Sequence, residues 1–162
     1  MKKRLTLIQM DVHVNDVEYN YNRVQELLTQ SLSENPDIIV LPETWNTGFY
    51  PSTDLINIAD TNGDRTKALL SAFTKEYNVN IVGGSVAVAK DNLVFNTSYV
   101  YNRSGELVGE YSKMHGFSPA KEDKYFASGT HTTHFELDGI PCSTVICYDI
   151  RFPELVRMAA LP

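Results

Sequence analysis

A short apolar run over residues 37–41, Asp-Ile-Ile-Val-Leu, constrains the fold more than any other part of this sequence. Pro36 ends the helix that is predicted before the run, and Pro42 begins the loop that leaves it. Apolar residues that do not alternate with polar ones are typical of a strand covered on both faces. Such a strand needs further layers above and below it, so the sequence predicts a layered α/β fold.

The rest of the chain supplies these layers, because predicted strands and helices follow one another along it. The order β-α-β, α-β-β and then β-β-α is typical of layered sheets flanked by helices. The predicted elements are a buried strand over 4–10, a helix from a capping box at Asn15 and Glu18 to about residue 34, a helix over 64–78 capped by Asp64, strands over 79–88, 93–102 and 106–112, a loop over 114–130, strands over 132–138 and 141–147, and a helix from about Pro153.

Composition narrows the class of protein. The 162 residues fit one domain, and the net charge of −6 argues against nucleic-acid binding, which needs clustered Lys and Arg. The one basic cluster, Lys2-Lys3-Arg4, precedes an apolar run that is too short for a signal peptide or a membrane span. We therefore expect a cytoplasmic protein that binds neither nucleic acid nor membrane.

The two cysteines, Cys142 and Cys147, are predicted to be free thiols. If both lie on one strand they are about 16 Å apart, too far for a disulfide. Cys147 ends an apolar strand shortly before a helix, a placement that exposes a nucleophile at a sheet edge. A nearby helix N-terminus or cation would favour its thiolate. The alternative is a buried, inert cysteine, which is the interpretation given to Cys142 on the opposite face of the strand.

Two charged residues follow predicted strands in a similar way. Glu43 stands just past the apolar run at 37–41, where α/β proteins place ligand-binding groups. Lys113 follows the strand over 106–112. Taken alone, each is more typical of a solvated surface residue.

Three segments taken together resemble the nitrilase superfamily of carbon–nitrogen hydrolases. They are Leu41-Pro42-Glu43, Tyr111-Ser112-Lys113-Met114-His115, and Val145-Ile146-Cys147-Tyr148-Asp149-Ile150-Arg151-Phe152-Pro153-Glu154. Each carries one member of that family's Glu-Lys-Cys triad, in the family's order, and the resemblance extends through essentially the whole chain. The segment 43–49, Glu-Thr-Trp-Asn-Thr-Gly-Phe, is most similar to the omega-amidase branch, which hydrolyses the terminal amide of small ω-amido dicarboxylates such as 2-oxoglutaramate.

The resemblance implies an α-β-β-α sandwich and a role for each triad residue. Cys147 would be the nucleophile that forms a thioester, Glu43 the general base, and Lys113 the oxyanion stabiliser, with the backbone N–H of Tyr148 as a second donor. Glu122 matches a second glutamate of the family that orients the lysine or the substrate amide, although a solvated loop acid is the alternative. The expected ligand is a small amide, and no cofactor or metal is expected.

Three further residues are candidates for substrate binding. Arg151 could pair with a substrate carboxylate, or form a salt bridge with Glu154 or Asp149. Tyr148 and Trp45 could wall the pocket, with core packing as an equal alternative for the tryptophan.

His115 is the remaining candidate for chemistry near Lys113. It is interpreted as structural, although a Cys-His hydrolase would use it as the base. His131 and His134 are predicted to face opposite ways across the start of a strand, and no carboxylate or cysteine lies at metal-ligand spacing from them.

Relatives of this family are usually longer, so residues 1–162 are expected to be the N-terminal part of a longer carbon–nitrogen hydrolase domain. An exposed sheet edge and exposed apolar helix faces are then expected. The full family form is expected to be a homo-oligomer, as a dimer. The alternative function is that of a truncated, inactive fragment that acts only by association.

Overall fold

The structure, a computed structural model, describes residues 2–49 and 54–161. Within these residues short single turns of 3-10 helix lie at Leu32–Glu34, Ser118–Ala120 and Cys147–Arg151. The strands and α-helices are β1 (Leu5–Leu7), α1 (Val17–Ser31), β2 (Ile38–Val40), α2 (Leu55–Ile58), β3 (Asp60–Thr61), α3 (Asp64–Tyr77), β4 (Asn80–Val82), β5 (Val86–Lys90), β6 (Leu93–Tyr101), β7 (Leu107–Ser112), α4 (Glu122–Tyr125), β8 (His134–Leu137), β9 (Ile140–Ser143) and α5 (Pro153–Ala160).

Seven of the strands form one mixed sheet. β1, β2 and β4 run parallel to one another, and β4 then pairs antiparallel with the end of β6. β5 and β7 also pair antiparallel with β6, while β3 lies parallel to β5. β6 is therefore the strand that pairs with β4, β5 and β7 and joins the parallel and antiparallel parts of the sheet. β8 and β9 form a separate two-stranded sheet.

The main sheet is covered on both faces, as the apolar run at 37–41 predicts. Ile39 packs into a cluster with α1 and α3 on one face, through side chains such as Val24 and Leu70. Its neighbour Ile38 belongs to a second cluster with Leu137 of the β8–β9 sheet. Successive residues of β2 thus point into different layers, which is the alternation of a strand.

The layers follow the order helix, sheet, sheet, helix. α1 and α3 cover the main sheet on one side, β8–β9 covers it on the other, and α5 packs against β9. The predicted layered α/β class is confirmed. Val156 and Met158 of α5 are exposed. No helix among the described residues has both the length and the apolar character that a membrane crossing requires.

Three predicted elements differ from the structure at their ends. The strand predicted as buried over 4–10 is the three-residue β1, with Leu5 57% and Leu7 69% exposed because β1 is an edge strand that pairs only with β2. Helix α1 is capped by Asp16, whose carboxylate accepts from Tyr19 N, because Asn15 takes a left-handed conformation. Helix α3 already includes Asp64, and its cap is Gly63.

The strand predicted over 79–88 is interrupted at Gly83-Gly84. Gly84 has φ of +60°, and a Cβ at this residue would lie 2.0 Å from the carbonyl oxygen of Pro42. The loop that leaves β2 therefore presses into the break between β4 and β5, where only glycine allows so close an approach.

Charged side chains connect the β8–β9 turn to the main sheet. Asp138, in that turn, accepts hydrogen bonds from Lys3 at 2.8 Å and from Arg103 at 2.8 Å. Arg103 also donates to Asp37, just before β2, at 2.9 Å. We call Lys3, Asp37, Arg103 and Asp138 the inter-sheet charge cluster.

Candidate active site

The loop that carries Glu43 is fixed to the break in the neighbouring strand. Ser85 Oγ accepts from Thr44 N at 3.0 Å, and the carbonyl oxygen of Ser85 accepts from Trp45 N at 3.1 Å. In return, Ser85 N donates to the carbonyl oxygen of Pro42 at 3.0 Å. Glu43 thus stands between backbone groups that are all bound to Ser85, directly before β5, which limits the movement of its carboxylate.

Asn46 fastens the same loop a second time. Its side chain is fully buried and pairs with the backbone of β5 as a neighbouring strand would. Oδ1 accepts from Ala87 N at 2.8 Å, and Nδ2 donates to Ala87 O at 3.0 Å. The carbonyl oxygen of Asn46 accepts from Asn20 of α1 at 3.1 Å. The Glu43 loop is therefore held from the sheet and from the helical layer.

Trp45, a candidate for the pocket wall, lies in the hydrophobic core. Its side chain is fully buried, its indole N–H donates to Gly83 O at 3.0 Å, and its ring meets Tyr21 edge-on at 4.8 Å. The packing alternative is the correct one, because the indole N–H finds its partner in the strand break rather than in a pocket.

Lys113 stands at the centre of the candidate site. Its ammonium nitrogen lies 2.9 Å from Glu43 Oε1 and 2.7 Å from Glu122 Oε2, and the residue is only 4% exposed. Burial alone would lower the pKa of Lys113, but the hydrogen bonds that it donates to Glu122 and Glu43 outweigh burial and raise the pKa. The side chain is therefore a fixed ammonium with two of its three N–H donors in use.

Glu122 begins the short helix α4 inside the segment that was predicted as loop. It is 1% exposed, which rules out the solvated alternative. Its Oε2 accepts from Lys113 and also from the backbone N–H of Phe117 at 2.6 Å. The carboxylate therefore ties the lysine to the chain that follows it.

Cys147 is brought to the same cluster by a turn rather than by a strand end. β9 ends at Ser143, and Cys147 starts a 3-10 turn with a left-handed φ of +47° and an exposed side chain. Although the residue as a whole is exposed, partial burial of its thiol, followed by the nearby charge of Glu43, raises the pKa of Cys147. Lys113 acts in the opposite direction but more weakly. The expectation that a nearby cation favours the thiolate agrees in direction with the effect of Lys113, although burial and Glu43 make the net shift of the pKa upward.

Asp149 holds this turn in place. It is fully buried, and its Oδ2 accepts from Tyr111 Oη at 2.6 Å and from Ile146 N at 3.2 Å. Its Oδ1 lies 2.9 Å from His115 N and 2.8 Å from His115 Nδ1. The sequence offered Asp149 only as an ion-pair partner of Arg151, and its role as the anchor of the nucleophile turn was missed.

A row of aromatic rings includes Tyr148, the residue after Cys147. Tyr148 meets Phe117 at 5.1 Å and Phe152 at 5.6 Å, in both cases edge to face. Phe117 approaches Phe49 at 6.5 Å, and Phe152 stacks on His115 at 3.6 Å. Tyr148 therefore belongs to an aromatic wall, and its role in substrate binding stays a prediction.

Arg151 is exposed, and among residues 2–49 and 54–161 it forms no ion pair with Asp149, Glu154 or any other acid. Its guanidinium is consequently available to a ligand, although its position alone does not identify one. Within the same described residues, no group of three or more His, Cys, Asp and Glu side chains is placed to hold a metal ion.

Sequence reasoning missed one more residue at the site. Asn96, in β6, is 1% exposed and donates from Nδ2 to Glu43 Oε1 at 3.0 Å. Asparagine is disfavoured in strands, so an asparagine inside the predicted strand over 93–102 was the one sequence feature that could have indicated a role for this residue. Together, the thiol, the two carboxylates, the ammonium and this amide offer a nucleophile, a proton acceptor and a cation within one cluster.

Comparison with known proteins places nearly the whole chain in one family. The family model described as carbon-nitrogen hydrolase matches residues 4–162. The 2-oxoglutaramate amidase of Bacillus subtilis is 38% identical over 157 residues, covering 97% of this chain and 60% of that protein. The chloroplastic omega-amidase of Arabidopsis thaliana is 30% identical over 172 residues, covering 98% of this chain and 46% of that protein.

A solved structure shares the fold. A CN-hydrolase superfamily protein of Xanthomonas campestris, crystallised with an arsenic adduct in its active site, matches with a TM-score of 0.83 and 29% identity. The match covers 94% of this chain and 56% of that chain. The chain thus spans about half to three fifths of the length of the proteins that it matches here.

Proposed function

The chain belongs to the carbon–nitrogen hydrolase family, and we propose that its protein hydrolyses the terminal amide of a small ω-amido dicarboxylate, such as 2-oxoglutaramate, to a carboxylate and ammonia. The observation that carries this proposal is the cluster in which Lys113 contacts both Glu43 and Glu122, with Cys147 near enough for the charge of Glu43 to raise the pKa of its thiol. The substrate class is supported by the names of the Bacillus and Arabidopsis relatives.

In the first step the sulfur of Cys147 attacks the amide carbon. Because its pKa is raised, the thiol must lose its proton as the C–S bond forms, and the Glu43 carboxylate accepts it. The carbonyl oxygen becomes an oxyanion. The third N–H of Lys113 and the backbone N–H of Tyr148 would donate to it, and one such donor is worth about 3 kcal/mol in the transition state.

In the second step the C–N bond breaks. Glu43 returns its proton to the departing nitrogen, so that ammonia leaves and a thioester remains on Cys147. Water then attacks the thioester while Glu43 accepts one of its protons. Collapse of this second tetrahedral species releases the carboxylic acid, and the proton on Glu43 restores the thiol. Glu122 keeps Lys113 in place throughout.

The surroundings of the Cys147 thiol favour Glu43 over His115 as base, because Glu43 and not His115 is among the groups that shift the pKa of the thiol. His115 Nδ1 is bound to the buried Asp149 carboxylate, and its ring is stacked on Phe152. Both contacts fix the imidazole as part of the turn that supports Cys147. The charge of Glu43, by contrast, acts on the thiol and raises its pKa.

Arg151 and Tyr148 are proposed to bind the substrate. The exposed guanidinium of Arg151 suits the carboxylate at the far end of an ω-amido dicarboxylate, to which arginine donates in bidentate fashion. The ring of Tyr148, within the aromatic wall, would pack against the carbon chain between the two ends.

The proposal is tested by ammonia release from 2-oxoglutaramate, together with intact-mass detection of an acyl adduct on the protein. Cys147→Ala is expected to abolish both signals, because no other group can form the thioester. Cys142→Ser is the matched control, since this second cysteine lies in β9 and is expected to leave both signals unchanged.

Two outcomes would contradict the proposal. Ammonia release that survives Cys147→Ala excludes the cysteine mechanism. A folded wild-type protein that releases no ammonia from ω-amides, and forms no adduct, favours the alternative in which the chain acts by association. Loss of activity in His115→Ala with activity retained in Glu43→Gln would instead identify a Cys-His hydrolase.

A further inference from the structure

Asn96 contacts two members of the candidate cluster through different atoms. Its carbonyl oxygen accepts from the backbone N–H of Lys113 at 2.9 Å, which continues the pairing of β6 and β7 by one residue. Its side chain, almost fully buried, reaches Glu43 on the other side. Asn96 therefore positions both the backbone of Lys113 and the carboxylate of Glu43.

The side-chain contact determines which oxygen of Glu43 is free to react. Asn96 Nδ2 donates to Oε1 at 3.0 Å, and Lys113 Nζ donates to the same oxygen at 2.9 Å. Two donors on Oε1 leave Oε2 to receive the proton of the thiol. Because the nitrogen of the amide must face the carboxylate, the amide oxygen of Asn96 faces the other way.

That oxygen shares a small polar cavity with Glu122. Asn96 Oδ1 and Glu122 Oε1 are buried acceptors without a hydrogen-bond partner among the described residues. Asn96, Glu122 and Lys113 all line a cavity of about 80 Å³. A polar cavity of this size is large enough for water, and a water molecule between Asn96 and Glu122 would supply a donor to each of these oxygens.

We propose that Asn96 is a positioning residue, which holds Glu43 directly and is linked to Glu122 through a water molecule bound in this cavity. The proposal rests on the amidase function proposed above. Asn96 and the water would connect the carboxylates of Glu43 and Glu122, which contact Lys113 from two sides, through hydrogen bonds. The third N–H of the ammonium is then kept on the oxyanion side instead of rotating toward either carboxylate.

The expected result of Asn96→Ala is a loss of kcat with little change in KM. A hydrogen bond to a charged group contributes enough that its loss should lower kcat/KM about tenfold or more. The charged and titratable groups around Glu43 are Lys113 from the end of β7, Cys147 from its turn and, beyond the lysine, Glu122 from α4. Since Asn96 donates to the ionised carboxylate, its removal should move the acid limb of the kcat/KM profile to higher pH.

Asn80→Ala is the matched control. Asn80 is also a buried asparagine of the main sheet, it donates from Nδ2 to Asp37 O at 2.9 Å, and its Oδ1 is likewise without a partner among the described residues. It is expected to cost a similar amount of stability and to leave the acid limb in place. Asn96→Asp serves if the alanine variant does not fold, because aspartate has nearly the same shape as asparagine. Its added negative charge should move the acid limb of the kcat/KM profile further toward higher pH.

A second readout does not need the substrate. The pH midpoint for alkylation of Cys147 by iodoacetamide, followed by peptide mass, should rise in Asn96→Ala because the uncompensated Glu43 charge disfavours the thiolate further. A wild-type protein without ammonia release would refute the proposed function, whereas this midpoint would still report on Asn96. An unchanged midpoint and acid limb in both Asn96 variants, or an equal shift in Asn80→Ala, would overturn the role of Asn96.

The water link is tested by a high-resolution crystal structure of the wild-type protein. Density is expected within hydrogen-bond distance of both Asn96 Oδ1 and Glu122 Oε1, and it should disappear in Asn96→Ala. A well-ordered cavity without density in the wild-type crystal would overturn the link.

Discussion

The Glu43 loop and the Cys147 turn meet at one site but are held in different ways. The loop is bound to Ser85, Ala87 and α1 by hydrogen bonds spread over several residues. The turn follows the separate β8–β9 layer, and its side-chain hydrogen bonds to Tyr111, His115 and Ile146 all converge on one buried carboxylate, Asp149. The position of Glu43 is thus fixed by many contacts with the main sheet, whereas that of Cys147 depends mainly on the hydrogen bonds of Asp149.

This difference indicates where the site is fragile. Loss of one contact in the Glu43 loop leaves several others that still hold it. Loss of Asp149 removes the support of Tyr111, His115 and Ile146 at once. The following variants test that contrast.

Asp149→Ala is expected to have the largest effect. It leaves several buried donors without an acceptor, so the free energy of unfolding should fall by about 3 kcal/mol or more. The Cys147 turn should also lose its geometry, with loss of ammonia release. Urea unfolding and the ammonia assay measure the two effects. Retention of activity in a folded Asp149→Ala protein would show that the turn has other supports.

Asn46→Ala should destabilise the protein by about 2 kcal/mol, because two buried backbone groups of Ala87 lose their partners. The remaining contacts of the Glu43 loop should keep the site assembled. The alkylation rate of Cys147 by iodoacetamide is therefore expected to stay close to that of the wild type. A rate changed as strongly as in Asp149→Ala would mean that the loop and the turn are not held independently.

Glu43→Gln tests the electrostatic link between the two regions. Burial raises the pKa of Cys147, and the charge of Glu43 raises it further. The neutral amide should remove the contribution of Glu43 and shift the alkylation midpoint of Cys147 to lower pH, while ammonia release is lost with the base. A midpoint that stays in place would place the cause of the raised pKa in burial alone.

The smallest effect is expected for the inter-sheet charge cluster, which attaches the nucleophile layer to the main sheet. A hydrogen bond from Arg103 holds the pKa of Asp138 well below its usual range. Its stabilisation is therefore present above about pH 4 and is lost as the pH falls toward the lower folded value. Arg103→Gln should weaken this acid-dependent loss, and urea midpoints at neutral and acid pH should then differ less than in the wild type. An unchanged difference would assign the acid sensitivity to other groups.

The parts of the fold that sequence predicts well are those with a local cause. Ile38 and Ile39 lie in a run whose pattern requires burial on both faces, and Pro153 suits the first turn of α5. The exposure of Leu5 and Leu7 could not be predicted, because it depends on β1 being at the edge of the sheet.

Contacts between distant residues explain what was missed at the site. Asn96 lies 53 residues from Glu43, and Asp149 lies 38 residues from Tyr111, so no local pattern joins them. The proximity of Lys113 to Glu43 and Glu122 is a finding of the structure, whereas their catalytic roles stay predictions.

The left-handed backbone of Cys147 has a consequence for how this protein can change. A side chain costs about 1 kcal/mol in that conformation relative to glycine, which adopts it freely. Cys147→Gly should therefore relax the turn while it removes the thiol. Mutational drift governed by thermal stability alone would lead away from cysteine at this position, and only continued selection for its chemistry would keep it there.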